Sequence, residues 1–157
     1  IDKGIQSVLA QGVVAGYPIS DVKAIVTDGK EHPVDSKPIA FEIAGREAFK
    51  KVFQAAGPML LEPIMDVQIT VPEVMMGDIL SDLNSRRARV QGMDTVGAKS
   101  VVTAQAPLAE MLRYGNDLRS MTGGRGIYTM KYSRHDLVPA HLTTAIIAAH
   151  KAEVAKE

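Results

Sequence analysis

The 157-residue chain has no cysteine and no tryptophan, and aromatic residues make up only 4% of it. Without cysteine there is no disulfide, no thiolate metal site and no cysteine nucleophile, which suits a reducing compartment such as the cytosol. With few aromatic anchors, the cores must be assembled from Ile, Val, Leu, Met and Ala, where the fit between neighbours matters more than any single side chain. An excess of charge of one sign is also missing, with 18 Lys and Arg against 18 Asp and Glu. No apolar run approaches the ~20 residues that a bilayer-spanning helix needs. No basic-then-apolar leader opens the chain, so it reads as soluble, with no membrane partner. A G-x-x-x-x-G-K-[ST] phosphate loop is absent as well, so the sequence offers no means of binding or hydrolysing GTP.

What is present is 46% hydrophobic side chains, enough for one medium domain or two small ones. The charge balance is uneven along the chain. From Leu83 to Arg134 there are nine Lys or Arg residues against three acids, Asp94, Glu110 and Asp117, which is the footprint of a surface for polyanions.

Ile1, Ile5, Val8 and Leu9 recur at helical spacing, and Gly12 is a stop signal. The chain opens inside this helix, so a longer protein is expected. Tyr17 to Thr27 alternates as a strand, with Val22, Ala24 and Val26 on one face, and Asp28-Gly29 is a turn signal. A polar loop from Lys30 to Ser36 follows, with Asp35 or Ser36 expected to cap the next helix. That helix is expected to bury Phe41, Ala44, Gly45, Ala48, Phe49 and Val52, and to end at Gly57-Pro58. Helix, strand, loop and helix are too little to close a sheet, so further strands are expected upstream.

From Ile64 the pattern is more diagnostic. Met65, Val67, Ile69 and Val71 alternate with Asp66, Gln68 and Thr70 as in a strand, and Pro72-Glu73 opens a helix with Met76, Ile79, Leu80 and Leu83 inside. Short strands at Ala88 to Met93 and Ser100 to Ala106 follow, then a helix from Pro107 through Leu118, and a last strand from Ile127 to Tyr132. This βαββαβ order predicts a ferredoxin-like α+β sandwich, with an antiparallel sheet and two helices on one face. Pro139 opens a final helix whose Leu142, Ala145, Ile146 and Ala149 form a stripe that requires a packing partner.

Several stretches also carry a family likeness. Leu61-Glu62-Pro63-Ile64-Met65, Met76-Gly77-Asp78-Ile79, Asp82-Leu83-Asn84-Ser85-Arg86-Arg87, Pro107-Leu108-Ala109-Glu110-Met111, Asp117-Leu118-Arg119-Ser120 and Gly124-Arg125-Gly126 resemble domain V of elongation factor G. Leu9 to Pro18, Asp28-Gly29, His32, Val34-Asp35-Ser36 and Ala40-Phe41 are similar to the second half of its domain IV. The resemblance implies three parts: residues 1–58 as a partial domain IV-like βαβ with a left-handed crossover, residues 59–134 as a ferredoxin-like domain V, and residues 135–157 as a helix returning to the domain IV part. It further implies a cytoplasmic GTPase that moves tRNA and mRNA on the ribosome. GTP and Mg would belong to a domain outside this chain, leaving this fragment monomeric, without cofactor and without enzymatic activity of its own. Its expected partners are large-subunit rRNA near the sarcin-ricin loop, the stalk base, and A-site tRNA and mRNA.

By the same resemblance His32, with Asp35 and Ser36 beside it, matches the loop that approaches the decoding centre. Read from the residues alone, His32 is more readily a solvated loop side chain, and Asp35 and Ser36 are helix caps, since no oxyanion-forming glycines accompany them. Arg86, Arg87 and Arg89 end one helix, and Arg119 and Arg125 flank the end of another. Cations favour helix C-termini, but three so close together suit a phosphate-binding patch, so all five are candidate rRNA contacts. No catalytic set is expected. Gly123-Gly124-Arg125-Gly126 follows a helix and precedes a strand, the reverse of a dinucleotide fingerprint. His135, His141 and His150 have no clustered carboxylates or histidine partners, so no metal site is expected.

Two other classes compete. A free-standing RNA-binding module of the same βαββαβ order needs exposed aromatics on its third strand, and Ser100-Val101-Val102-Thr103 has none. A ferredoxin-like enzyme or regulatory domain needs a convergent acid, base and nucleophile. Within the family, Glu31, Lys37-Pro38, Ala88 and Gly123 depart from the usual pattern and point to a divergent paralogue in recycling or ribosome protection as the alternative to a translocase.

Overall fold

The computed structural model describes residues 1–155. Its elements are α1 (Asp2–Gln11), α2 (Pro38–Ala55), β1 (Leu61–Pro72), a 3-10 turn (Glu73–Met75), α3 (Met76–Ser85), β2 (Arg89–Val96), β3 (Lys99–Pro107), α4 (Leu108–Met111), α5 (Tyr114–Thr122), β4 (Ile127–Leu137) and α6 (Ala140–Val154). They form two compact units: residues 1–60 together with the segment from Pro139, and Leu61–Val138. Among the described residues no helix is long and apolar enough to cross a membrane.

The second unit is the expected α+β sandwich. All its strand pairs are antiparallel and the sheet order is β2-β3-β1-β4. Strand alternation sends Val67, Ile69 and Val71 of β1 and Val102, Ala104 and Ala106 of β3 to one face. There they meet Ile79 and Leu83 of α3, Met111 of α4, and Tyr114 and Leu118 of α5 in one buried cluster. β1 begins at Leu61, earlier than its alternation suggests, because Pro63 is tolerated there. β3 pairs with β1 only from Ile64 onward, so Pro63 has a strand neighbour on the β4 side alone. β4 runs to Leu137, past the expected end at Tyr132, through a register shift between Ile64 and Met65 that lets Ser133 bulge out.

Tyr114 stacks edge-on against Tyr128 at 5.2 Å, and its hydroxyl is buried without a hydrogen-bond partner among the described residues. Burial first, and the Asp82 carboxylate second, push its pKa above the ordinary tyrosine value. The unfolded chain therefore releases this proton first as pH rises. Stability carried by neutral Tyr114 is complete below about pH 10 and declines above it by up to ~1.4 kcal/mol per pH unit. We expect Tyr114→Phe to equal or exceed the parent by about 1 kcal/mol at pH 7, because it deletes an unsatisfied hydroxyl. The gap should widen above pH 10 in urea titrations followed at both pH values.

The first unit departs from the sequence reading in four ways. Residues 17–27 form no strand, because no neighbouring strand among the described residues takes up their hydrogen bonds, and Val22, Ile25 and Val26 remain exposed. α2 turns Gly45 fully inward with Phe41, Phe49 and Phe53 half-buried, whereas Ala44, Ala48 and Val52 face outward. Neither Asp35 nor Ser36 caps α2: Lys37 occupies the cap position without a side-chain bond, and Pro38 starts the helix, where a missing N–H costs nothing. α6 half-buries Leu142, Thr143, Ile146, Ile147 and His150 rather than Ala145 and Ala149, and His150 lies against Gly16.

Candidate nucleic-acid interface

α3 ends in a left-handed turn. Arg87 has φ of 58°, its N–H returns to Asn84 O at 3.3 Å, and the Ala88 N–H reaches Leu83 O at 3.0 Å. This is the Schellman arrangement with arginine where glycine is usual, and Ala88 supplies its apolar contact by lying against the core. The turn sends two adjacent arginine side chains in different directions across the same domain.

Arg86 donates from Nε to Asp82 at 2.8 Å, from Nη2 to Asp117 at 2.8 Å and from Nη1 to the Glu110 carbonyl at 2.9 Å. Its guanidinium lies 5.1 Å from the centre of the Tyr114 ring. Arg87 grips Glu62 with both Nη atoms at 2.7 and 3.0 Å, and its Nε donates to Glu110 at 3.0 Å. The carboxylate bonds, from Asp82 foremost on Arg86 and from Glu62 foremost on Arg87, raise both guanidinium pKa values further, against the opposing effect of burial. Only 17% of the Arg86 side chain and 26% of Arg87 are exposed. Every nitrogen of both groups thus has an acceptor inside the domain, and their charges are neutralised by four acids.

Arg89, Arg119 and Arg125 are exposed. Arg89 lies on β2 opposite Gln105, at the Glu62 end of the sheet. Arg125 lies at the other end: its Nε donates to Thr122 O at 3.1 Å, and its Nη2 approaches Met75 Sδ at 3.8 Å. Lys99, paired with Pro72, shares that end. So do the exposed acids Glu73 and Asp78. The cationic surface there is therefore confined to the α5–β4 turn and the β2–β3 hairpin. The five arginines do not form one patch.

The α5–β4 turn that carries Arg125 is closed by its own hydrogen bonds. Gly123 takes the left-handed conformation with φ of 56°, and the Gly124 N–H returns to Arg119 O at 2.9 Å. Thr122, fully buried, accepts from the Gly126 N–H at 2.8 Å and donates to Leu118 O at 2.7 Å. Sequence reasoning missed Thr122, as it missed Glu62, Asp82, Glu110 and Asp117 as arginine partners. Only the Glu62 and Thr122 positions beside apolar neighbours hinted at burial.

In the first unit, the His32 loop is exposed but closed on itself. The Ser36 hydroxyl accepts from the His32 N–H, and the Ser36 N–H donates to His32 O at 3.2 Å. His32 Nδ1 lies 3.4 Å from the Val34 N–H and 3.4 Å from Asp35 Oδ2. A proton on Nδ1 selects Asp35, and a lone pair there selects Val34. With His32 67% and Asp35 82% exposed, both side chains are open to solvent.

The outer face of the sheet carries Asp66, Gln68 and Thr70 on β1 beside Val101, Thr103 and Gln105 on β3. Among the described residues, β1 and β3 offer no ring there to stack an unpaired base, which argues against an RNA-binding module of the exposed-aromatic kind. No group of three or more His, Cys, Asp or Glu suited to a metal ion occurs among the described residues.

Comparison with known proteins accords with this geometry. The family model described as elongation factor G, domain IV matches residues 1–57, and that described as elongation factor G C-terminus matches residues 59–146. A crystal structure from Thermus thermophilus is similar over 96% of this chain, with 46% identity and a TM-score of 0.82. The chain spans 23% of that protein's length. The matched regions contain no GTPase domain. By both matches, covering its two units in order, the chain belongs to the elongation factor G family of translation factors.

Proposed function

We propose that this chain is the ribosome-facing C-terminal part of a factor that drives tRNA–mRNA translocation, with the GTPase activity residing elsewhere in the same protein. The observation that carries the reading is the succession of domain IV and C-terminal family matches over residues 1–57 and 59–146. Residues 1–58 act as the domain IV part and the sheet unit Leu61–Val138 as domain V, with α6, Ala140–Val154, as the helix that returns to the domain IV part. His32, Asp35 and Ser36 form the loop that meets A-site tRNA and mRNA at the decoding centre. Arg119 and Arg125 meet large-subunit rRNA near the stalk base, with Arg89 as a separate contact at the opposite end of the sheet. The exposure of these three cations, and the fixed Thr122–Gly126 turn under Arg125, support that assignment.

The test is binding of the chain to purified large ribosomal subunits across a salt series. Arg119→Glu with Arg125→Glu should weaken binding at least tenfold. It should also flatten the slope of log K against log salt by about 0.7–0.9 for each phosphate that is no longer neutralised. Unchanged affinity and slope in the double variant would reject this surface.

A further inference from the structure

Arg86 and Arg87 are the most basic-looking feature of the sequence, yet they hold no free donor nitrogen. Their bonds converge on one place in the fold. The helical segment after β3 is broken between α4, which ends at Met111, and α5, which starts at Tyr114. At such a break the carbonyls of the last turn lose their helical partners. Arg86 Nη1 takes up the Glu110 carbonyl, while Nη2 holds Asp117 in the first turn of α5 and the guanidinium covers Tyr114. Arg87 holds the Glu110 side chain and ties it to Glu62 on β1. Arg86 thus joins the end of α3 to the last turn of α4 and the first turn of α5, and Arg87 joins α4 to β1. α5 ends in the Gly123–Gly126 turn that carries Arg125, with Arg119 one turn earlier.

We propose that Arg86 and Arg87 are positioning residues for the RNA contact: they touch no phosphate themselves but fix α5, and with it Arg119 and Arg125. The proposal rests on the RNA-contact reading above. It assigns the conspicuous arginine pair to an internal clamp and the binding to the less conspicuous pair some thirty to forty residues downstream. A direct phosphate ligand and a clamp differ in one measurable respect. Losing a ligand releases fewer counterions on binding, whereas losing a clamp lowers affinity without changing the number of phosphates neutralised.

Arg86→Lys and Arg87→Lys preserve the charge and surrender the forked geometry. Each is compared with Arg125→Ala for binding to large ribosomal subunits over a salt series, and for hydrogen exchange of the 114–126 amides. We expect both lysine variants to bind several-fold more weakly with the parental salt slope, and to exchange faster over 114–126. Arg125→Ala should flatten the slope by about 0.7–0.9 and leave exchange at the α4–α5 break unchanged. In Arg87→Lys or Arg86→Lys, a slope flattened as in Arg125→Ala would identify a direct contact and overturn the proposal. So would faster exchange with undiminished affinity, or exchange that does not change. If the unaltered chain binds no subunits, the RNA-contact reading fails on its own, and the exchange result still decides whether the clamp positions α5.

Discussion

Arg87→Ala should destabilise the β1–β4 domain more than Arg87→Gly does, by about 1 kcal/mol, although alanine is the better residue within a helix. Both substitutions remove the fork to Glu62 and the bond to Glu110. Both leave Glu62, only 9% exposed, with a carboxylate that has lost its counter-charge. Stranding a largely buried acid in this way costs on the order of 3 kcal/mol, and this loss is common to the two variants. They differ in backbone. At φ of 58°, residue 87 occupies a conformation that a Cβ disfavours by roughly 1–2 kcal/mol and that glycine adopts freely. Arginine accepts that strain because its side chain is held by two acids. Alanine has the strain without the bonds, and glycine has neither. Urea unfolding followed by a probe within Leu61–Val138 measures the order. If Arg87→Gly proved the more damaging, the left-handed backbone at residue 87 would not be what separates the two variants.

The second large effect lies in the first unit. There α1 and α2 meet backbone to backbone through Gly4 and Gly45. A Cβ on Gly4 would overlap the Glu42 carbonyl oxygen and lie 2.9 Å from Arg46 N. A Cβ on Gly45 would lie 2.8 Å from Ile1 O and 2.9 Å from Ile1 Cα. Backbone atoms cannot rotate away as a side-chain tip can, so the helices must separate along their contact. Gly4→Ala should therefore destabilise this unit by about 3 kcal/mol, at the upper end of ordinary overpacking. Gly77 in α3 provides the opposite case, since nothing lies within 4 Å of an added Cβ. There alanine should stabilise by about 0.5–1 kcal/mol through helix propensity alone. Hydrogen exchange resolved over α1, α2 and α3 reads both effects in one experiment. A neutral Gly4→Ala would mean that the two helices are not in register at this crossing.

Some of this protein was determined by local sequence. The period-2 alternation of Val67, Ile69 and Val71 and of Val102, Ala104 and Ala106 defined the buried face of the sheet. Gly12 and Gly123 marked helix ends because a positive φ is a property of one residue and its neighbours. The short motifs from Leu61 to Gly126 carried the family likeness for the same reason, since they are read without knowing what they touch. The partners of the charged residues were decided only by the tertiary structure. Arg86 and Arg87 look like a phosphate patch when read as a run of like charge. Chain folding brings Glu62 from 25 positions before Arg87, and Glu110 and Asp117 from 23 and 31 positions beyond Arg87 and Arg86, into their reach. The same applies to residues 17–27, where alternation is a statement about side chains and a strand requires a second chain segment to complete its hydrogen bonds. Hydrophobic period and turn chemistry are local properties and can be read along the chain. The pairing of charges far apart in sequence, and the choice of which arginines remain free for a partner, depends on distances that exist only after folding.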